Sequence, residues 1–106
     1  MKIEQKAKKI IVKEIEKAGF KVLNVMLFGS RVRGNYTKDS DFDFFVIIDK
    51  DIDFHKKREI LGEIRIKLAE MKIPNDLIIQ SAEAVNDRKN NVGYLTYYVL
   101  KEGIVI

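Results

Sequence analysis

Three aspartates of this chain stand where a carboxylate needs a reason to be. Asp41 and Asp43 open the segment "DFDFFVII", and Asp76 opens the apolar run "DLIIQ" just after Pro74. Aspartate is poor in strands. The run from Phe42 to Ile48, broken only by Asp43, reads as a strand buried on both faces. Alternate strand residues share a face, so Asp41 and Asp43 point the same way, roughly 6.5–7 Å apart along the backbone. Two unpaired negative charges beside a hydrophobic layer are costly. Pairing with Lys or Arg would relieve them, and so would a divalent cation. Hard oxygen ligands on a rigid element suit Mg²⁺, which takes one or two carboxylates together with substrate phosphates. If Asp76 faces this pair from a neighbouring strand, three acids can hold two metals roughly 3.5–4 Å apart, the spacing of in-line phosphoryl chemistry.

The other acids of the D-x-D type have plainer explanations. Asp51 and Asp53 lie between a strand and a helix, where turn and N-cap roles account for them. Asp39 belongs to the polar loop "YTKDS" and reads as a turn residue. His55 is the one histidine and sits beside Lys56 and Lys57, so it reads as a surface residue.

A second element of chemistry precedes the acids. Gly29 and Ser30 close the apolar run "KVLNVMLF". Glycine permits close backbone approach and unusual dihedrals. A serine opening a helical turn offers a hydroxyl and nearby N–H groups, which suit a phosphate. Arg31 and Arg33 follow, each with forked donors matched to phosphate oxygens. The chain has neither a G-x-x-x-x-G-K-[ST] nor a G-x-G-x-x-G pattern, so this is not a P-loop or a dinucleotide fingerprint.

The elements that must position these residues can be read from periodicity. Residues 3–18 carry Ile3, Ala7, Ile10, Ile11, Ile15 and Ala18 at helical spacing, with Gly19 as the stop. Strands are expected at 21–28 and 41–48, and a helix at 54–71, capped by Asp53, with Leu61, Ile64, Leu68 and Met71 as its inward stripe. Pro74 breaks the chain before a strand at 75–80. Ser81 caps a short helix, residues 92–101 read as a further helix stopped by Gly103, and "IVI" is a short last strand. A helix between the second and third strands implies that they run parallel. The expected class is α/β (α+β), a small mixed β-sheet packed with helices in a single domain over 1–106.

With 106 residues there is room for one modest core and little for a second, substrate-binding unit. The absence of cysteine excludes disulfides and thiolate metal sites, and a cytoplasmic location is the default expectation. The N-terminal stretch mixes Lys with Glu, unlike a signal peptide. The net charge of +4 comes from 20 basic residues, 15 of them Lys. They are interleaved with Glu along the helices, which is the pattern of a solvated surface rather than a nucleic-acid stripe.

Taken together, "LFGSRVRGNYTKDSDFDFFVII" resembles the signature of the minimal nucleotidyltransferases (MNT) of the DNA polymerase beta superfamily. That signature is an apolar strand, Gly-Ser, about ten residues, then D-x-D opening another apolar strand. Here the pieces are Gly29, Ser30, residues 31–40, Asp41 and Asp43, with Asp76 in the place of the third acid. The resemblance implies a nucleotidyltransferase fold and transfer of a nucleoside monophosphate with release of pyrophosphate. It implies that Asp41 and Asp43 hold two Mg²⁺ ions and that Asp76 holds the one carrying the attacking hydroxyl. Gly29 and Ser30 would hold the β- and γ-phosphates, assisted by Arg31 or Arg33. Small members of the family resemble antitoxins paired with an all-helical HEPN toxin. By that likeness ATP is the donor and a toxin tyrosine hydroxyl is the acceptor. Two other expectations stand beside it: an antitoxin acting by contact alone, and an RNA nucleotidyltransferase, the latter disfavoured by the lack of room for a second domain.

Overall fold

A computed structural model describes residues 2–106. The elements run in the order α1 (Ile3–Lys17), β1 (Val22–Phe28), α2 (Ser30–Arg33), β2 (Phe42–Ile48), α3 (Phe54–Glu70), β3 (Asn75–Ser81), α4 (Ala82–Arg88), α5 (Leu95–Glu102) and β4 (Ile104–Val105). The four strands form one mixed sheet in the order β3-β2-β1-β4. β1 is antiparallel to both β2 and β4, whereas β2 and β3 are parallel. This is the mixed α/β architecture expected of a nucleotidyltransferase fold. No described helix is long and apolar enough to cross a membrane.

β2 is the spine of the sheet. Phe42, Phe44, Val46 and Ile48 pack on one side against Ala7, Ile11 and Ile15 of α1 and Ile60, Ile64 and Leu68 of α3. Phe45 and Ile47 point to the other side, where Met26, Val85 of α4 and Val99 of α5 cover them. Burial on both faces explains why this strand is an almost unbroken apolar run. Asp43 is the one polar residue in it.

Several boundaries follow local chemistry. Gly19 takes a positive φ of 96° after α1. Its N–H donates to the Glu16 carbonyl, and that of Phe20 donates to Ile15, satisfying carbonyls that a helix end leaves open. The Asp53 side chain accepts from the Lys56 N–H, and Ser81 accepts from Ala84, so both expected caps form.

Three expectations shift. The inward stripe of α3 is Ile60, Ile64 and Leu68, spaced by four. Leu61 is only partly covered, and Met71 is the exposed C-cap. The last helix begins at Leu95 rather than 92, because Asn91 turns the chain first. Its side chain accepts from the Gly93 N–H and its carbonyl from Tyr94. Such local side-chain bonds compete with helix. β1 is buried only from Val25 to Leu27, and Leu23 is exposed. Glu14, which periodicity does not single out, is buried between helices and paired with Lys17 at 3.3 Å and Lys67 at 3.6 Å.

Phe44 has no exposed surface and stacks on Phe42 with ring centroids 6.2 Å apart. Phe44→Ala is expected to lower unfolding free energy by about 3–5 kcal/mol, measured by urea denaturation.

Candidate active site

One end of the sheet gathers the residues singled out by their chemistry. β1 runs toward this end and β2 and β3 run away from it. The loop after β1 therefore meets the first residues of β2 and β3. Phe28 is the cross-strand partner of Asp43, and Gly29 follows it. In the parallel register Asp43 pairs directly with Asp76. The condition that the second and third strands be neighbours is met, and the two carboxylates are adjacent.

Asp43 is the most enclosed of the three. It is half-buried, whereas Asp41 and Asp76 are exposed. Burial pushes the Asp43 carboxyl above its ordinary value, and the nearby charges of Asp76 and Asp41 push it further. The Arg33 guanidinium pulls it back down. Desolvation and like charge both disfavour the carboxylate, so Asp43 stands in a field that a cation would relieve. Asp76 has one local partner, the Leu77 N–H, at 3.0 Å. Asp41 lies one residue ahead of the strand, not within its ladder as expected.

Gly29 has to be glycine. Its backbone adopts φ 77° and ψ −154°, a region open essentially to glycine alone. A Cβ there would lie 2.1 Å from Oδ2 of Asp43. The backbone thus passes directly against the carboxylate. α2 then begins, and the Val32 and Arg33 N–H groups both donate to the Gly29 carbonyl. The N–H groups of Ser30 and Arg31 precede that bonding, as the first donors of any helix do.

The two arginines part company. Arg33 is exposed and acts electrostatically on Asp43. Arg31 is committed elsewhere. Its Nε and Nη2 donate to the Ser40 carbonyl at 3.2 and 2.8 Å, and Nη2 also donates to the Lys38 carbonyl at 3.2 Å. Its guanidinium lies 4.6 Å from the Tyr36 ring centroid and 4.1 Å from that of Phe42. Of the two arginines named as possible phosphate partners, Arg31 thus has its donors engaged by backbone carbonyls, whereas Arg33 is open to solvent. No sequence signal separates the two residues, since the Ser40 carbonyl and the ring positions are tertiary facts.

Mg²⁺ is the cation that the donor set suits. Three hard carboxylates meet at one sheet end, and burial together with the charges of Asp76 and Asp41 raises the proton affinity of Asp43. Among the described residues no group of three acidic, histidine or cysteine side chains is arranged to hold a metal ion.

Two outcomes follow. Gly29→Ala is expected to destabilise the fold by roughly 1–3 kcal/mol through its backbone conformation alone, and to displace Asp43; thermal melting with a transfer assay checks both. A raised Asp43 pKa means that the folded state holds a proton more firmly than the unfolded chain. Stability is then lost as pH rises above the ordinary value of 3.8 through the folded value. Asp43→Asn is therefore expected to melt above the wild type at neutral pH, with the difference vanishing below about pH 3.8.

Comparison with known proteins agrees with this geometry. Residues 5–106 match the family described as polymerase beta, nucleotidyltransferase. A "putative protein adenylyltransferase" of Methanocaldococcus jannaschii is 30% identical over 104 residues, spanning 97% of both chains. Among solved structures, a toxin–antitoxin with AMP-PNP shares the fold with a TM-score of 0.61 and 19% identity, over 92% of this chain and 70% of that one. A mutant of the toxin–antitoxin MntA–HpeT does so with a TM-score of 0.59 and 19% identity, over 93% and 70%. Matched along nearly its whole length, the chain belongs to the polymerase beta nucleotidyltransferase family, as one of its minimal members, and is a nucleotidyltransferase.

Proposed function

We propose that this nucleotidyltransferase is an Mg²⁺-dependent protein adenylyltransferase and an antitoxin. It would transfer AMP from ATP to a tyrosine hydroxyl of a partner HEPN-type toxin. The observation that carries the reading is the register pairing of Asp43 with Asp76, beside the close approach of Gly29. The relative described as a protein adenylyltransferase and the toxin–antitoxin neighbours support the donor and the partner class.

Asp41, Asp43 and Asp76 would hold two Mg²⁺ ions. When bound, these neutralise charge on the transferring phosphoryl group and activate the acceptor oxygen. Gly29 brings the backbone close enough for the Ser30 and Arg31 N–H groups and the Ser30 hydroxyl to receive the β- and γ-phosphates. Arg33 adds positive charge on the same side. Asp76 stands on the acceptor side, where its carboxylate orients the attacking hydroxyl and receives its proton. The hydroxyl oxygen bonds to the α-phosphorus as the bond to the bridging oxygen breaks, and pyrophosphate departs with its electron pair. The protein supplies positioning and electrostatics, the main requirements of this chemistry.

The test is incubation of the protein with its partner, Mg²⁺ and α-labelled ATP. Label is expected on the partner, and Asp41→Asn and Asp43→Asn should each reduce it by roughly three orders of magnitude, the scale of several kcal/mol of metal stabilisation. Undiminished labelling in both variants would refute the two-metal assignment. Label appearing on added RNA instead would move the acceptor from protein to nucleic acid. Toxin neutralisation by an Asp43→Asn protein that transfers nothing would point to contact alone.

A further inference from the structure

Asp43 and Asp76 are held by the sheet, but Asp41 is not. It lies outside the ladder, it is exposed, and its carboxylate takes part in no hydrogen bond among the described residues. Its backbone, however, is gripped on both sides. On one side the Ser40 carbonyl accepts the two-pronged donation from Arg31. On the other the Phe42 N–H donates to the Pro74 carbonyl at 2.9 Å.

The Arg31 grip is built from several parts. Tyr36 and Phe42 both lie against the guanidinium, so the side chain has little freedom to leave. The turn it holds is closed on itself: the Ser40 N–H donates to the Thr37 carbonyl at 3.1 Å, and the Thr37 N–H donates to Ser40 Oγ at 3.0 Å. Arg31 ties this closed turn to α2 through Ser40 and Lys38. Phe42 and Asp43 point to opposite faces of β2, so a guanidinium lying on the Phe42 ring is on the side away from the Asp43 carboxylate.

We propose that Arg31 is a positioning residue for Asp41: it fixes the Thr37–Ser40 turn so that the Asp41 carboxylate stands over the metal site, and its side chain does not bind the nucleotide phosphates. The proposal rests on the reading of Asp41 as a metal ligand. A lysine cannot replace the arginine. Its ammonium has no planar fork for the Ser40 and Lys38 carbonyls and stacks poorly between two rings.

The experiment measures Mn²⁺ binding by electron paramagnetic resonance in the presence of AMP-PNP, together with steady-state transfer kinetics and trypsin cleavage after Lys38. Arg31→Lys is expected to weaken Mn²⁺ binding about tenfold and to lower kcat, with KM for ATP within about twofold of wild type. Cleavage after Lys38 should accelerate. Combining Arg31→Lys with Asp41→Asn should cost no more Mn²⁺ affinity than Asp41→Asn alone, because the two act on one ligand. Tyr36→Leu, a change at an exposed residue, should move each quantity the same way to a smaller degree, and it serves if Arg31→Lys does not fold. A raised KM for ATP with Mn²⁺ binding unchanged would make Arg31 a phosphate ligand and overturn the proposal, as would additive losses in the double variant. Wild-type protein that neither binds Mn²⁺ nor transfers nucleotide would instead overturn the proposed function, and the clamp with it.

Discussion

The parallel pairing of β2 with β3 is the constraint on which the site depends. It places Asp43 and Asp76 at matched positions on adjacent strands, where their charges oppose each other. A parallel pair needs a crossover, and α3 supplies it while covering one face of the sheet. The same helix therefore builds the core and sets the separation of the acids. A register slip of one residue would turn Asp43 into the core formed by Phe42 and Phe44.

Against that frame the local energetics are unfavourable in a consistent direction. Asp43 is half-buried, lies near two like charges, and has the Gly29 backbone pressed against it. A sequence selected only for folding would not place an aspartate near the start of an apolar strand beside a glycine in a glycine-only conformation. Strain and charge repulsion of this kind gather where a bound group completes the structure. The surrounding core is well placed to sustain it. Both faces of β2 are covered, and Phe44, Phe45, Val46 and Ile48 have no exposed surface.

Much of this was legible in the chain. The unbroken apolar character of residues 44–48 requires burial on both faces, and with Gly29, Ser30, Asp41 and Asp43 it carries the family resemblance. Caps at Asp53 and Ser81 follow from residue type and position. The misplacements have physical causes. Apolar spacing around α3 fits two overlapping stripes, and only packing against α1 selects Ile60 over Leu61. Asn91 holds Val92 to Tyr94 out of the last helix by a local side-chain bond that a periodicity reading overlooks. Glu14 is not among the periodic apolar positions of α1, and only the packing of α3 brings Lys67 to it.

The sequence by itself determined the family, the strand that bears the acids and the glycine that approaches them, because these depend on residue type and short spacing. Tertiary structure alone decided three things. It joined Asp76 to Asp43, because that contact spans the whole of α3. It left Asp41 outside the ladder, because the first bond on that side is made by Phe42 with Pro74. It also separated Arg31 from Arg33, two residues alike in chemistry and two positions apart. One is enclosed by Tyr36, Phe42 and the Ser40 carbonyl, and the other is open to solvent and to the field of Asp43.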